Sequence, residues 1–185
     1  LVPAAVERLG KKRAYLVAGA VAAAAGIGLG LAPGSVPAVG LAFFGVYGLG
    51  LGLVNALIFA LQADTVDYGE WQSGVRAEAS NYAVLSFMRK AGQGVGGAAA
   101  AYTIGLGGYV SGAGDQTDSA VTSIRIAAGI LPAVVVFGAV AVMSTYPLTE
   151  KAFRGLVADL SARRAAGTVG VANAPYVTPA GDASP

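Results

Sequence analysis

Asp64-Thr65-Val66-Asp67-Tyr68-Gly69-Glu70-Trp71 is the stretch around which the rest of the chain is ordered. It continues through Arg76 and Glu78 into an apolar stretch that carries Arg89 and Lys90. Four of the ten acidic residues lie between Asp64 and Glu78. Long uncharged runs precede this block, and the run after it is broken only by Arg89 and Lys90. A polar knot between apolar runs, with a cationic pair inside the next run, points to a protein that moves something across a membrane.

Composition agrees. Charged residues make up 12% of the chain, against roughly 25% in an ordinary soluble domain. Mean hydropathy is +0.64, and the apolar runs reach the roughly 18–20 residues needed to cross a bilayer core. The expected class is therefore an all-α integral membrane protein. A net charge of +2, split between several segments, does not point to nucleic acid. The chain has no Cys and no His, which removes disulfides, thiolate chemistry, the usual metal ligand and the usual near-neutral base. No catalytic residue, metal site or cofactor is expected, and an enzyme is the least favoured class. Leu1-Val2-Pro3-Ala4-Ala5-Val6-Glu7-Arg8 reads like the end of something that began earlier, so the chain is expected to be a piece of a longer protein.

Outward from the central block, residues 1–13 read as a basic loop. Arg8, Lys11, Lys12 and Arg13 suit a cytoplasmic anchor, because Lys and Arg near span ends mark the inside face. Four transmembrane helices are expected over 14–147, at about 14–32, 36–61, 81–106 and 124–146. The first is rich in Ala and Gly, which let helix backbones approach closely in lipid. Pro33-Gly34-Ser35 makes an uncharged turn, and the second span holds one strongly polar group, Asn55. The repeats Gly26, Gly28, Gly30 and Gly48, Gly50, Gly52 lack a surrounding βαβ pattern, so packing is favoured over a dinucleotide loop.

Residues 62–79 read as a loop in which Asp64, Asp67, Tyr68, Glu70, Arg76 and Glu78 fasten neighbouring helix ends. A glycosidase acid–base pair is disfavoured, since no soluble domain surrounds these carboxylates. Ser80 and Asn81 are the expected N-cap of the third span, and Pro132 is an expected kink in the fourth. Residues 148–164 form an expected amphipathic cytoplasmic helix, with Phe153, Leu156, Val157 and Leu160 on one face. Residues 165–185 are expected to be disordered. The inner segments then hold nine of the twelve basic residues, which places both ends of this multi-pass segment in the cytoplasm.

Lys90 lies about 15 Å along its helix from Ser80 at roughly 1.5 Å per residue, near the middle of a core about 30 Å thick. A cation there costs on the order of 2.5–3.5 kcal/mol on insertion scales. Tyr82, Ser86, Arg89 or Lys90, and Gln93 follow helical spacing as a polar stripe, which should face a wet cavity or a carboxylate on another helix. This chain places no acid in the middle of any span, so that carboxylate is expected outside it. A structural ion pair is the plain alternative; a substrate-path residue is favoured because an intramembrane ionisable group is a functional candidate by default. Arg89 lies about 100° round the helix from Lys90 and is expected to be the structural member of the two.

The motif Asp64-Thr65-Val66-Asp67-Tyr68-Gly69-Glu70-Trp71, then Gly74-Val75-Arg76 and Glu78, then Tyr82, Lys90 and Gly108-Tyr109, resembles the glycoside–pentoside–hexuronide:cation symporter family of the major facilitator superfamily. The resemblance runs from about Pro3 to Arg164. It implies that the four spans correspond to helices nine to twelve of a twelve-helix transporter that rocks around a central site. It also implies a sugar or glycoside substrate, Na+ or H+ as the coupling ion, and N-terminal helices of the same protein that supply the cation-binding acids. Lys90 matches a lysine near the family's sugar and cation sites, with Ser86 a weaker candidate one turn earlier. Asn55 stands where the family's melibiose carriers have a sugar-facing Trp, and Arg89 replaces an apolar residue, which puts melibiose itself in doubt. Two other readings stay open at this point: the same fold carrying a lipid or other amphiphile, and a non-transporting membrane scaffold.

Overall fold

A computed structural model describes residues 2–146 and 150–166. The expected disorder of the C-terminal tail falls almost wholly on residues 167–185, outside the described residues. Among the described residues all regular structure is helical: α1 Val2–Leu9, α2 Lys11–Leu31, α3 Pro37–Ser73, α4 Glu78–Leu106, α5 Asp118–Arg125, a π-helical turn Ile126–Ile130, α6 Leu131–Ser144 and α7 Glu150–Ala165. Three stretches are long and apolar enough to cross a membrane: Lys11–Leu31, Pro37–Ser73 and Asp118–Ser144. The fourth helix, α4, has 29 residues, but its two cations and its glycines keep its hydropathy below theirs.

The apolar centre of the bundle is built from small residues. Ala14, Tyr15 and Ala18 of α2 meet Val54, Leu57 and Leu61 of α3, with Met143 and Tyr146 packed at the rim. In lipid no hydrophobic drive pulls helices together, so close backbone approach and van der Waals contact must do it. The tightest approach joins α2 to the π turn. A Cβ on Gly129 would stand 2.6 Å from both the Gly26 carbonyl oxygen and the Gly30 nitrogen. Gly129→Val therefore forces two backbones apart, at about 1–3 kcal/mol by the usual range for overpacking. Thermal unfolding in detergent should show a lowered midpoint, and an unchanged midpoint would contradict the contact.

Several sequence expectations need correction. The basic loop over 1–13 is a short helix, α1, broken at Gly10, whose φ of 75° stops one helix and lets α2 begin at Lys11. The loop over 62–79 is mostly helix. Asp64, Asp67, Tyr68 and Glu70 all lie on α3, which runs to Ser73, and only 74–77 separate it from α4. Charge suggested a loop, but nothing before Gly74 stops the helix. Gly74 takes φ +73° and donates its N–H to the Glu70 carbonyl at 2.8 Å, the left-handed helix end that glycine favours. The expected N-cap at Ser80 and Asn81 is also displaced. The cap position is Ala77, without a side-chain hydrogen bond, and Asn81 lies inside α4, accepting from the Gln62 amide at 3.3 Å.

The helix containing Pro132 starts earlier than expected, at Asp118, where the Thr117 hydroxyl accepts from the Ala120 N–H at 3.2 Å. Pro132 sits two residues past the π turn, and Leu131 donates back five residues to Ile126. Proline has no N–H and its ring crowds the carbonyl four residues earlier, so widening the helix by one residue there relieves both.

Candidate functional site

Two groups of polar side chains stand out, one at the end of α3 and one midway along α3 and α4. The first is a clasp of charges. On α3, Asp64, Asp67 and Glu70 follow each other at three-residue spacing, beside the buried Val66. Asp64, 7% exposed, accepts from Lys11 of α2 at 2.7 and 2.9 Å, and the same ammonium lies 4.8 Å from the Phe153 ring of α7. Arg76, in the short link, donates to Asp67 at 2.9 Å, to Glu70 at 3.0 Å and to Glu78 at 3.1 Å. Glu70 is 4% exposed and also accepts from Arg164 of α7 at 3.0 Å. One buried carboxylate thus holds two guanidiniums from different segments.

A second tie fastens α7. The Trp71 indole donates to Asp159 at 2.7 Å, and Arg163 pairs with Asp159 at 2.7 Å while its guanidinium lies 5.6 Å from the Trp71 ring. Tyr68 is half-buried beside Trp71, with ring centroids 6.1 Å apart. Lys12 donates to the Ser144 and Tyr146 carbonyls at 2.9 and 2.6 Å, a cation placed at the negative end of α6. The electrostatics follow the geometry. The Asp67 carboxylate, then Glu70, push the Arg76 pKa well above its ordinary value. Glu70 does the same for Arg164. The hydrogen bond from Trp71 holds Asp159 below the ordinary carboxylate value.

The sequence singled out Asp64, Asp67, Tyr68, Glu70, Arg76 and Glu78, and the structure gathers all six at one end of the bundle. It missed Lys11, Asp159 and Arg164, whose partners lie 53, 88 and 94 residues away. Amphipathic spacing in α7 was visible, yet the acceptor on α3 was not. In the structure Leu156 and Leu160 are buried and Val157 is 39% exposed, so the contacting face of α7 is narrower than the spacing implied.

The second group lies near mid-span. Arg89 of α4 donates to the Asn55 side-chain oxygen of α3 at 2.7 Å, and its guanidinium carbon is 5.1 Å from the Phe59 ring. Ser86, Lys90 and Gln93 are exposed and Tyr82 is half-buried on the same helix. Among the described residues these four make no side-chain hydrogen bond or ion pair. Among the described residues, it is Arg89 that joins this helix to Asn55. No group of three or more acidic side chains with the spacing of a metal site occurs among the described residues.

Residues 1–150 match the family described as MFS/sugar transport protein. The chain is 36% identical over 166 residues to a glucuronide carrier protein homolog of Escherichia coli (strain K12), which covers 89% of this chain and 36% of that protein. It is 38% identical over 117 residues to an isoprimeverose transporter of Lactiplantibacillus pentosus, which covers 63% of this chain and 24% of that one. The chain spans about a third of the length of the curated relatives that it matches over most of its own length. No solved structure matches.

Proposed function

The chain belongs to the MFS/sugar transport protein family, and from that premise we propose that it forms helices nine to twelve of a secondary transporter that couples a sugar or glycoside to Na+ or H+. Membership makes it part of a multi-pass membrane transporter rather than an enzyme. The finer reading adds that α2, α3, α4 and the continuous α5–α6 helix all span the cell membrane, with both ends of the segment in the cytoplasm and α7 along its inner face. The observation that carries this reading is the mid-span position of Arg89 and Lys90 on α4. Such cations are retained inside a membrane where they face a wet path or a charged partner.

In mechanism, the coupling cation binds acids on helices outside this chain and favours the state that accepts sugar. Lys90 faces that cation site and sets its charge balance, while Asn55, Tyr82, Ser86 and Gln93 offer hydrogen bonds to sugar hydroxyls. The clasp around Glu70 fastens the inner end, and its release accompanies opening to the cytoplasm. Alternating access then needs the two halves of the transporter to rock about the fixed site.

The test is uptake of labelled methyl glycosides by the complete protein in vesicles, under an imposed Na+ gradient at uniform pH and, separately, under a pH gradient without Na+. Accumulation above equilibrium in one arm supports coupling and identifies the ion. Equilibration without accumulation in both arms would leave a facilitator and remove the coupling ion from the proposal.

A further inference from the structure

Two adjacent lysines of α2 reach different elements. Lys11 holds both oxygens of the Asp64 carboxylate on α3, at 2.7 and 2.9 Å. Lys12 holds the Tyr146 carbonyl, just past α6, at 2.6 Å. The Tyr146 ring packs on the seam of α2 and α3, against the cluster that includes Leu61, three positions before Asp64. Its hydroxyl oxygen is shut off from solvent and, alone among the buried side-chain polar atoms of the described residues, has no hydrogen-bond partner. Asp64 and Tyr68 are the groups whose charge acts on it. The other acids of the clasp have fixed donors: Asp67 and Glu70 take Arg76, and Asp159 takes Trp71. A buried hydroxyl without a partner is costly, and of the acceptors open to a phenol a carboxylate is the strong one. Asp64, itself buried, is that carboxylate.

We propose that Tyr146 is the second donor of Asp64: when the inner end opens, Asp64 passes from the Lys11 ammonium to the Tyr146 hydroxyl. This rests on the reading of the clasp as a gate and names the contact that replaces one it loses. In the closed arrangement the hydroxyl is desolvated without a partner, which raises the energy of that arrangement. In the open one Asp64 and Tyr146 satisfy each other. Lys11 is not stranded by the exchange, because its ammonium already lies 4.8 Å from the Phe153 ring, a face that attracts a cation. Lys12 acts as a positioning residue, keeping Tyr146 on the seam through its carbonyl while the side chain changes partner. One buried carboxylate with two alternative donors is a two-state element, and the hydroxyl sets the balance between its states.

The experiment is a double-mutant cycle in the complete protein, with Tyr146→Phe made alone and in a Lys11→Met background. Alone, Tyr146→Phe removes the unpaired hydroxyl and should raise the thermal midpoint in detergent by about 2 °C. It should also slow thiol modification of a cysteine placed at Gln62, beside the clasp, by roughly 5–10-fold, because the closed arrangement gains. In the Lys11→Met background Tyr146 is the remaining donor, so the same substitution should now lower the midpoint. A hydroxyl that merely packs would give one sign in both backgrounds, and that result overturns the proposal. So does a midpoint that falls or stays unchanged when Tyr146→Phe is made alone, which decides the matter even if Lys11→Met fails to insert. The expected reversal of sign with an unchanged modification rate would keep the exchange of donors and remove the gating reading.

Discussion

Lys90→Ala in the complete protein abolishes gradient-driven accumulation of sugar while leaving its amount in the membrane unchanged. The expected loss is large because, on the proposed four-span reading, the residue sits where charge is expensive, on the order of 2.5–3.5 kcal/mol at the centre of a spanning helix. Removing it relieves that cost, so insertion does not suffer. On the proposed mechanism it also leaves the acids of the cation site, outside this chain, without the charge that balances them. The acid then binds a proton or ion too tightly or at the wrong stage, and the gradient no longer drives the cycle. Initial accumulation rates under the imposed gradient should fall by about a hundredfold or more, equivalent to at least roughly 2.7 kcal/mol. Sugar exchange at equilibrium, which needs no net ion movement, should fall less. If Lys90→Ala accumulates sugar normally, the residue has no part in coupling and the proposed charge balance is wrong.

Glu70→Ala should loosen the end of the bundle that the clasp holds. Glu70 is buried and accepts from both Arg76 and Arg164, so one substitution weakens two ties at once, leaving Arg76 to Asp67 and α7 to the Trp71–Asp159 bond. Removing one partner of a buried, hydrogen-bonded ion pair costs about 3–5 kcal/mol in general. Arg76 and Arg164 are 35% and 47% exposed, so water recovers part of that, and about 2 kcal/mol is the reasonable figure. If the clasp exists in only one of two exchanging states, that amount changes their ratio by about thirtyfold. The chain has no cysteine of its own, so Gln62→Cys gives a clean reporter one step inside the clasp, where Gln62 bridges to Asn81 of α4. Its rate of thiol modification should rise by about tenfold or more in the Glu70→Ala background. Asp67→Ala should act in the same direction but less, since Asp67 is 27% exposed and Glu70 keeps Arg76 in place without it. A rate that does not change would mean that the clasp holds in every state and fastens the helices without gating them.

The membrane character of the chain was legible because it depends on runs of like residues. Arg89, Lys90 and Pro132 were also legible as exceptions within those runs. The end of α3 was not, for an identifiable reason. Asp64, Asp67 and Glu70 were weighed by polarity, which suggests a loop, and their three-residue spacing carried the opposite message of a continued helix. The left-handed turn at Gly74 was a stronger stop signal than any charge before it. The partners of the clasp were out of reach on different grounds. Nothing local to Asp64 indicates Lys11, and nothing local to Glu70 indicates Arg164, because those pairings depend on how α2 and α7 lie against α3. Arg89 was assigned a structural role from its angle relative to Lys90, and that angle did point it at another helix. The identity of its partner as Asn55, neutral and already a substrate candidate, is what the sequence could not supply.

The length of α3 has a mechanical consequence. Its 37 residues extend about 55 Å at roughly 1.5 Å per residue, well beyond a core about 30 Å thick. On the proposed spanning arrangement the helix is a lever whose far arm extends past the bilayer core. A tilt of about 10° about the bilayer midplane, within the range that spanning helices adopt, would sweep its tip sideways by roughly 7 Å, far more than the same tilt moves any atom near its pivot. Trp71 is the chain's single tryptophan and rides near that tip, stacked with Arg163 and tied to Asp159. The lever thus carries its own optical pointer, and the colour and quenching of one indole register the stroke.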